Sequence, residues 1–183
     1  RTMNIKKNDQ LGIEIQSDGT LVLNPKITQE QLQRIKEFNV SNIPKPTYLL
    51  QLLIGAYISG YTSLKITSPS RMPTPIRNVI RSFTQLAIGP EVVEEADTSV
   101  TLKDLLNPME MPLDRTIKRM HIIVKEMHED TMRALQPKDK NLAGDALSRD
   151  DDVDRLNWLV ARQYNIILQN VSLAGKMNIT IGM

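Results

Sequence analysis

The chain has 183 residues, of which 40% are apolar and 24% charged, with a formal net charge of +2. That length suits one ordinary domain or two small ones, and the composition suits a soluble globular protein with a real core. A charge so near neutral announces neither a nucleic-acid nor a membrane partner. Zero cysteines exclude disulfides, thiolate metal sites and cysteine nucleophiles.

Aromatics are only 4%, so Leu, Ile, Val and nine Met must fill the core. The absence of cysteine fits a cytoplasmic protein. The longest apolar run, Tyr48 to Ile58, is too short to span a bilayer, so no membrane insertion is expected. No signal peptide is visible. The first residue is Arg1 rather than Met, which points to a segment upstream.

Ile13 to Gln16 and Thr20 to Leu23 flank Ser17-Asp18-Gly19, a strong hairpin signal, and Pro25 stops the second run. Residues 28–33 are a short polar connector or helical turn. Arg34 to Val40 suits a strand. Thr47 to Ile58 suits a buried helix closing at Ser59-Gly60, and Leu64 to Thr67 a short strand. Thr74-Pro75 offers an N-cap and a first-turn proline for a helix through Ile76, Val79, Ile80, Phe83 and Leu86. Val92 to Glu95 and Ser99 to Leu102 complete a series of strand, helix, strand, helix, strand, strand. This predicts an α+β sandwich of ferredoxin-like character, with the strand pairing left open.

Asn107-Pro108 and Met111-Pro112 mark a boundary, beyond which the chain reads as helical until its last residues. The domains expected are therefore 1–27, 28–108 and 109–183. Leu113 to Leu135 carries Ile117, Met120, Val124, Met127 and Leu135 on one face, and Gln136-Pro137 ends it. Asn141 to Val171 then holds no proline. Val153, Leu156, Val160, Tyr164, Ile167 and Val171 form an apolar stripe at spacings of three and four. A short link puts neighbouring helices antiparallel. Two amphipathic helices do not close a core alone, so a third is expected from a continuation of the chain or from a second subunit.

At the head of that stripe stand Asp150, Asp151, Asp152 and Asp154. Asp150 and Asp154 stack one turn apart, and like charges so placed destabilise a helix unless something offsets them. A helix start, an arginine or a cation would each do so.

The run RDDDVDRLNWLVARQ, Arg149 to Gln163, resembles the archaeal PhoU-like phosphate uptake regulators. Tyr48 to Tyr61 and Ile88 to Leu102 are similar to the same family's middle segment. Met3 to Gln10 with Asp18 to Leu23 resembles the trailing half of an AbrB/SpoVT-type swapped hairpin, a module that opens many of these regulators. The likeness runs in order over nearly the whole chain. It implies a partial AbrB-like β-hairpin, a middle α+β domain and the first helical pair of a PhoU-type bundle, truncated at both ends. It implies negative regulation of phosphate transport in the cytoplasm, with DNA and a phosphate transporter or signalling complex as partners. It also implies divalent or iron ions held between an (Glu/Asp)-x-x-x-Asp motif and a like motif on another helix. Asp150 and Asp154 match the first motif. The family's leading strand and its second acidic motif are not in this chain.

Oxygen ligands one helical turn apart suit hard cations or iron once other helices complete the shell. A solvated acidic first turn, helped by the dipole and by Arg149 and Arg155, is the competing reading of Asp150 and Asp154. Glu126 and Asp130 repeat the spacing but read as a solvated face. His121 and His128 read as packed or surface residues. Trp158 is the expected anchor of an interface or bundle, while Arg162 and Gln163 either reach a neighbouring helix or face water. Lys6, Lys7 and Lys26, with Arg1, are a thin footprint for DNA. No Gly-rich phosphate loop or nucleophile constellation stands out, so an enzyme is not expected.

The expectation is a homodimeric, non-enzymatic regulator. The alternatives are a small-ligand-binding regulatory module that dimerises through its helices, and a structural oligomerisation unit.

Overall fold

A computed structural model describes residues 12–15, 20–24, 34–107, 110–135 and 137–169. The hairpin forms: β1 (Gly12–Ile15) pairs antiparallel with β2 (Leu21–Asn24), Ile13 opposite Leu23. Its Asp18-Gly19 turn, the connector at 28–33 and the basic positions Lys6, Lys7 and Lys26 lie outside the described residues.

The middle of the chain follows the expected series. It runs β3 (Ile35–Asn39), α1 (Pro46–Ile58), β4 (Ser63–Thr67), α2 (Thr74–Leu86), β5 (Pro90–Glu95) and β6 (Ser99–Asp104). The pairing left open by the sequence is β3-β4-β6-β5, parallel between β3 and β4 and antiparallel elsewhere. The α+β class therefore holds, with a mixed four-stranded sheet.

Side chains alternate across a strand, so every second residue faces the helices. Phe38, Leu64, Ile66, Val100 and Leu102 do so and meet Leu49, Leu53 and Tyr57 of α1 and Ile76, Ile80 and Phe83 of α2. Tyr57 and Phe83 touch edge to face, their centroids 6.2 Å apart, which adds about 1 kcal/mol to their burial.

Local chemistry sets the ends of these elements. Helix α1 opens with Pro46 in its first turn and ends in a left-handed Gly60 at φ 85. The Gly60 and Tyr61 amides turn back onto the carbonyls of Tyr57 and Ala56. That double bond satisfies carbonyls a helix end would otherwise leave bare. In α2, Pro73 takes the capping position instead of Thr74, which lies within the first turn and makes no capping bond. At the outer edge, β5 carries a bulge: Val92 faces Leu102 and Glu94 faces Thr101, leaving Val93 unmatched.

Among the described residues, three helices follow: α3 (Leu113–Leu135), α4 (Lys140–Ser148) and α5 (Asp150–Gln169). Asp139 caps α4, accepting from the amides of Asn141 and Leu142. The long helix expected from Asn141 onward is thus broken at the single residue Arg149. Arg149 lies beside Asp130, and Gln163 beside Met111, so α5 runs antiparallel to α3.

Two of the expected apolar faces shift. On α3 the buried arc is Thr116 and Ala134, with Met120, Ile123 and Met127 half-buried, while Ile117, Val124 and Leu135 are exposed. On α5 the buried residues are Leu156, Leu159, Arg162, Gln163 and Ile167, and Tyr164 is exposed. The cause is that α5 packs on two partners, α3 and α1, which widens and rotates its buried arc. The third helix that the pair needed is partly supplied by α1 of the α+β domain.

Candidate functional site

Asp150, Asp151 and Asp152 fill the first turn of α5. Carboxylates there gain about 0.3–1 kcal/mol each from the positive end of the helix dipole. Asp154 follows one turn later, and Asp150 and Asp154 are both exposed.

The two arginines expected to offset this charge divide. Arg155 stays local, its Nη1 3.8 Å from an Asp152 carboxylate oxygen. Arg149 turns away. Its Nη2 donates to Asp130 Oδ2 and Asp145 Oδ2, both at 2.5 Å, with Glu126 Oε2 3.9 Å from Nη1. Donating to Asp130 and then to Asp145 raises the Arg149 pKa. Asp130 is therefore no member of a solvated face: it is half-buried and clasps the α4–α5 corner, while Glu126 stays exposed.

Among the described residues no three His, Cys, Asp or Glu side chains converge so as to hold a metal ion. Asp150 and Asp154 alone offer an open pair of oxygen ligands on a solvent-facing turn. Any closed shell needs further ligands from another helix. His121 and His128 lie exposed on α3, far from forming a cluster with them.

The inner face of α5 is anchored polar by polar. Arg162 donates through Nη1 to the Tyr57 carbonyl and through Nη2 to Asp104 Oδ2 at 2.6 Å. Its guanidinium lies 4.7 Å over the Tyr57 ring. Burial pushes the Tyr57 hydroxyl well above the ordinary phenol range, so it stays a donor, bonded to the Ile88 carbonyl at 2.8 Å. Gln163 donates to the Met111 carbonyl, and Asn165 to the Ile58 carbonyl at 3.1 Å. Near the end of α5, Arg34 donates to Gln169 Oε1 and to the Ser59 carbonyl. Trp158 packs against the core of the chain's own α+β domain. Asp104 and Tyr57 had no signal in the sequence, since they stand 58 and 105 residues from the arginine they hold.

On the side of α5 away from α1 the surface is apolar. At about 100° per residue, Ile117, Val124 and Leu135 of α3 lie to the same side of the antiparallel pair as Tyr164 and Leu168 of α5. All five are exposed. This is an open two-helix face with His121 and His128 along it.

Residues 117–183 match the PhoU domain family. The match takes in nearly all of α3 and the whole of α4 and α5. No curated protein and no solved structure matches the chain. No helix among the described residues is long and apolar enough to cross a membrane.

Proposed function

We propose that this chain is a PhoU-type regulator of phosphate uptake, non-enzymatic and cytoplasmic, working as a homodimer. The observation that carries the reading is the PhoU match over 117–183, whose described residues form a helical layer with an exposed acidic head and an exposed apolar face. Five large apolar side chains left in water on one side of α3 and α5 favour association, because covering them removes apolar area from solvent. The acidic head offers Asp150 and Asp154 as two ligands for a divalent or iron ion, the remaining ligands coming from another helix. When bound, such an ion would neutralise the clustered charge and tie α5 to that helix. The partner downstream is a phosphate transport or signalling complex. DNA contact would run through the N-terminal segment that carries Lys6, Lys7 and Lys26.

The test has two parts. Labelled phosphate uptake is measured in a phosphate-starved host lacking its own PhoU protein, with and without this chain. Lowered uptake supports regulation, and unchanged uptake overturns it. Elemental analysis of the purified protein, beside melts with and without chelator, then addresses the acidic head. A bound ion that disappears in Asp150→Asn/Asp154→Asn supports the metal role, and an ion retained in that variant places it elsewhere.

A further inference from the structure

Helices α3 and α4 pack on each other and on α5, and α5 packs on α1. The helical layer therefore meets the α+β domain mainly through one face of one helix. At the centre of that face lies Arg162, only 2% exposed. Taking a guanidinium out of water is costly, and the loss is offset only when its donors find well-placed acceptors. Here they do, at the Tyr57 carbonyl and at Asp104 Oδ2, with the Tyr57 ring beneath.

Asp104 is the last residue of β6, and its carboxylate serves two segments at once. Oδ2 takes Arg162, while Oδ1 accepts the Leu106 amide at 3.1 Å and so shapes the exit toward α3. Gly89, at φ 105, lies against the same carboxylate. Opening the Arg162 contact thus loosens α5 and the exit from β6 together. The contacts of α3 with α5 do not pass through this joint: Gln163 donates to the Met111 carbonyl just ahead of α3, and Arg149 clasps Asp130 and Asp145.

We propose that the Arg162–Asp104 pair is a releasable latch, and that the protein has a second state in which α3, α4 and α5 leave the α+β domain as one unit. A buried ion pair suits this role better than an apolar contact. It binds weakly for its size but strictly in one geometry, because separation returns both charges to water and recovers their solvation. The latch is a property of this joint and stands independently of the phosphate reading.

Amide hydrogen exchange on the full chain tests it. In Arg162→Met, the Leu106 amide at the exit from β6, which donates to Asp104, should exchange at least about tenfold faster while the amides of β4 and β6 keep their original rates, the signature of release at the joint without unfolding. Equal acceleration in both regions, or none in either, overturns the latch. Should Arg162→Met fail to fold, Arg162→Gln serves, because a neutral amide brings no charge to Asp104. The same split is expected there, and an unchanged profile overturns the proposal.

Discussion

Phe83 and Leu53 of the α+β domain are wholly buried, whereas Ile117 and Leu135 of α3 are about half exposed or more. The difference lies in how many surfaces each region supplies. A four-stranded sheet offers α1 and α2 a broad apolar floor, so that domain closes on itself. The helical layer buries one arc of α3, fastens its corner with Arg149 and its inner face with Arg162, and leaves the opposite face uncovered. One region is sealed by apolar packing. The other is held in place by charge and still has surface to give to a partner.

The largest effect expected from this contrast is on core truncation. Phe83→Ala should lower stability by about 4 kcal/mol in denaturant unfolding, whereas Ile117→Ala should change it by less than about 0.5 kcal/mol. A comparable loss at both positions would mean that α3 is already covered in solution. Glycines sharpen the contrast at intermediate size. A Cβ on Gly89 would collide with Asp104 Oδ1 and stand 2.9 Å from Leu106 Cβ, so Gly89→Ala should cost about 2 kcal/mol. Gly144 in α4 meets nothing within 4 Å, and Gly144→Ala should stabilise by about 0.5 kcal/mol.

A smaller effect comes from Tyr57. Its folded-state pKa is raised by burial, so the folded chain holds the phenol proton more tightly than the unfolded chain does. The stability this contributes is present below the unfolded value near 10. It declines as pH rises beyond that, by at most about 1.4 kcal/mol per unit. Tyr57→Phe lacks the group, so urea titrations of the two proteins should converge between about pH 9 and about pH 11. Parallel curves would show that the hydroxyl is not sequestered.

The parts of this fold legible in the sequence are those governed by neighbours along the chain. Leu113 to Leu135 emerges as a helix with the limits expected of it, and Asp18-Gly19 correctly announces β1 and β2. The break at Arg149 was hidden because no proline or glycine marks it. At the break the Arg149 side chain joins Asp130 of α3 to Asp145 of α4, a partnership that crosses 19 residues of sequence on one side. The apolar faces of α3 and α5 were legible in kind but not in orientation. Spacing of three and four permits two adjacent arcs, and only the position of α1 decides which is buried. For the candidate site, Asp150 and Asp154 could be named from their spacing, yet Arg162 could not be told from a surface residue. Its partners lie on α1 and at the end of β6, far off in sequence, and nothing in the local pattern distinguishes a buried arginine from a solvated one.

The bulge in β5 bears on how this protein behaves when concentrated. With Val93 out of register, Pro90 lacking an amide hydrogen, and Glu91, Glu94 and Glu95 exposed, the sheet's outer border offers an interrupted ladder fringed with negative charge. An incoming strand cannot zip along it, so this border is closed to fibre-like growth. The sheet's other edge is β3, whose register with β4 runs without a shift, so strand addition is confined to that side.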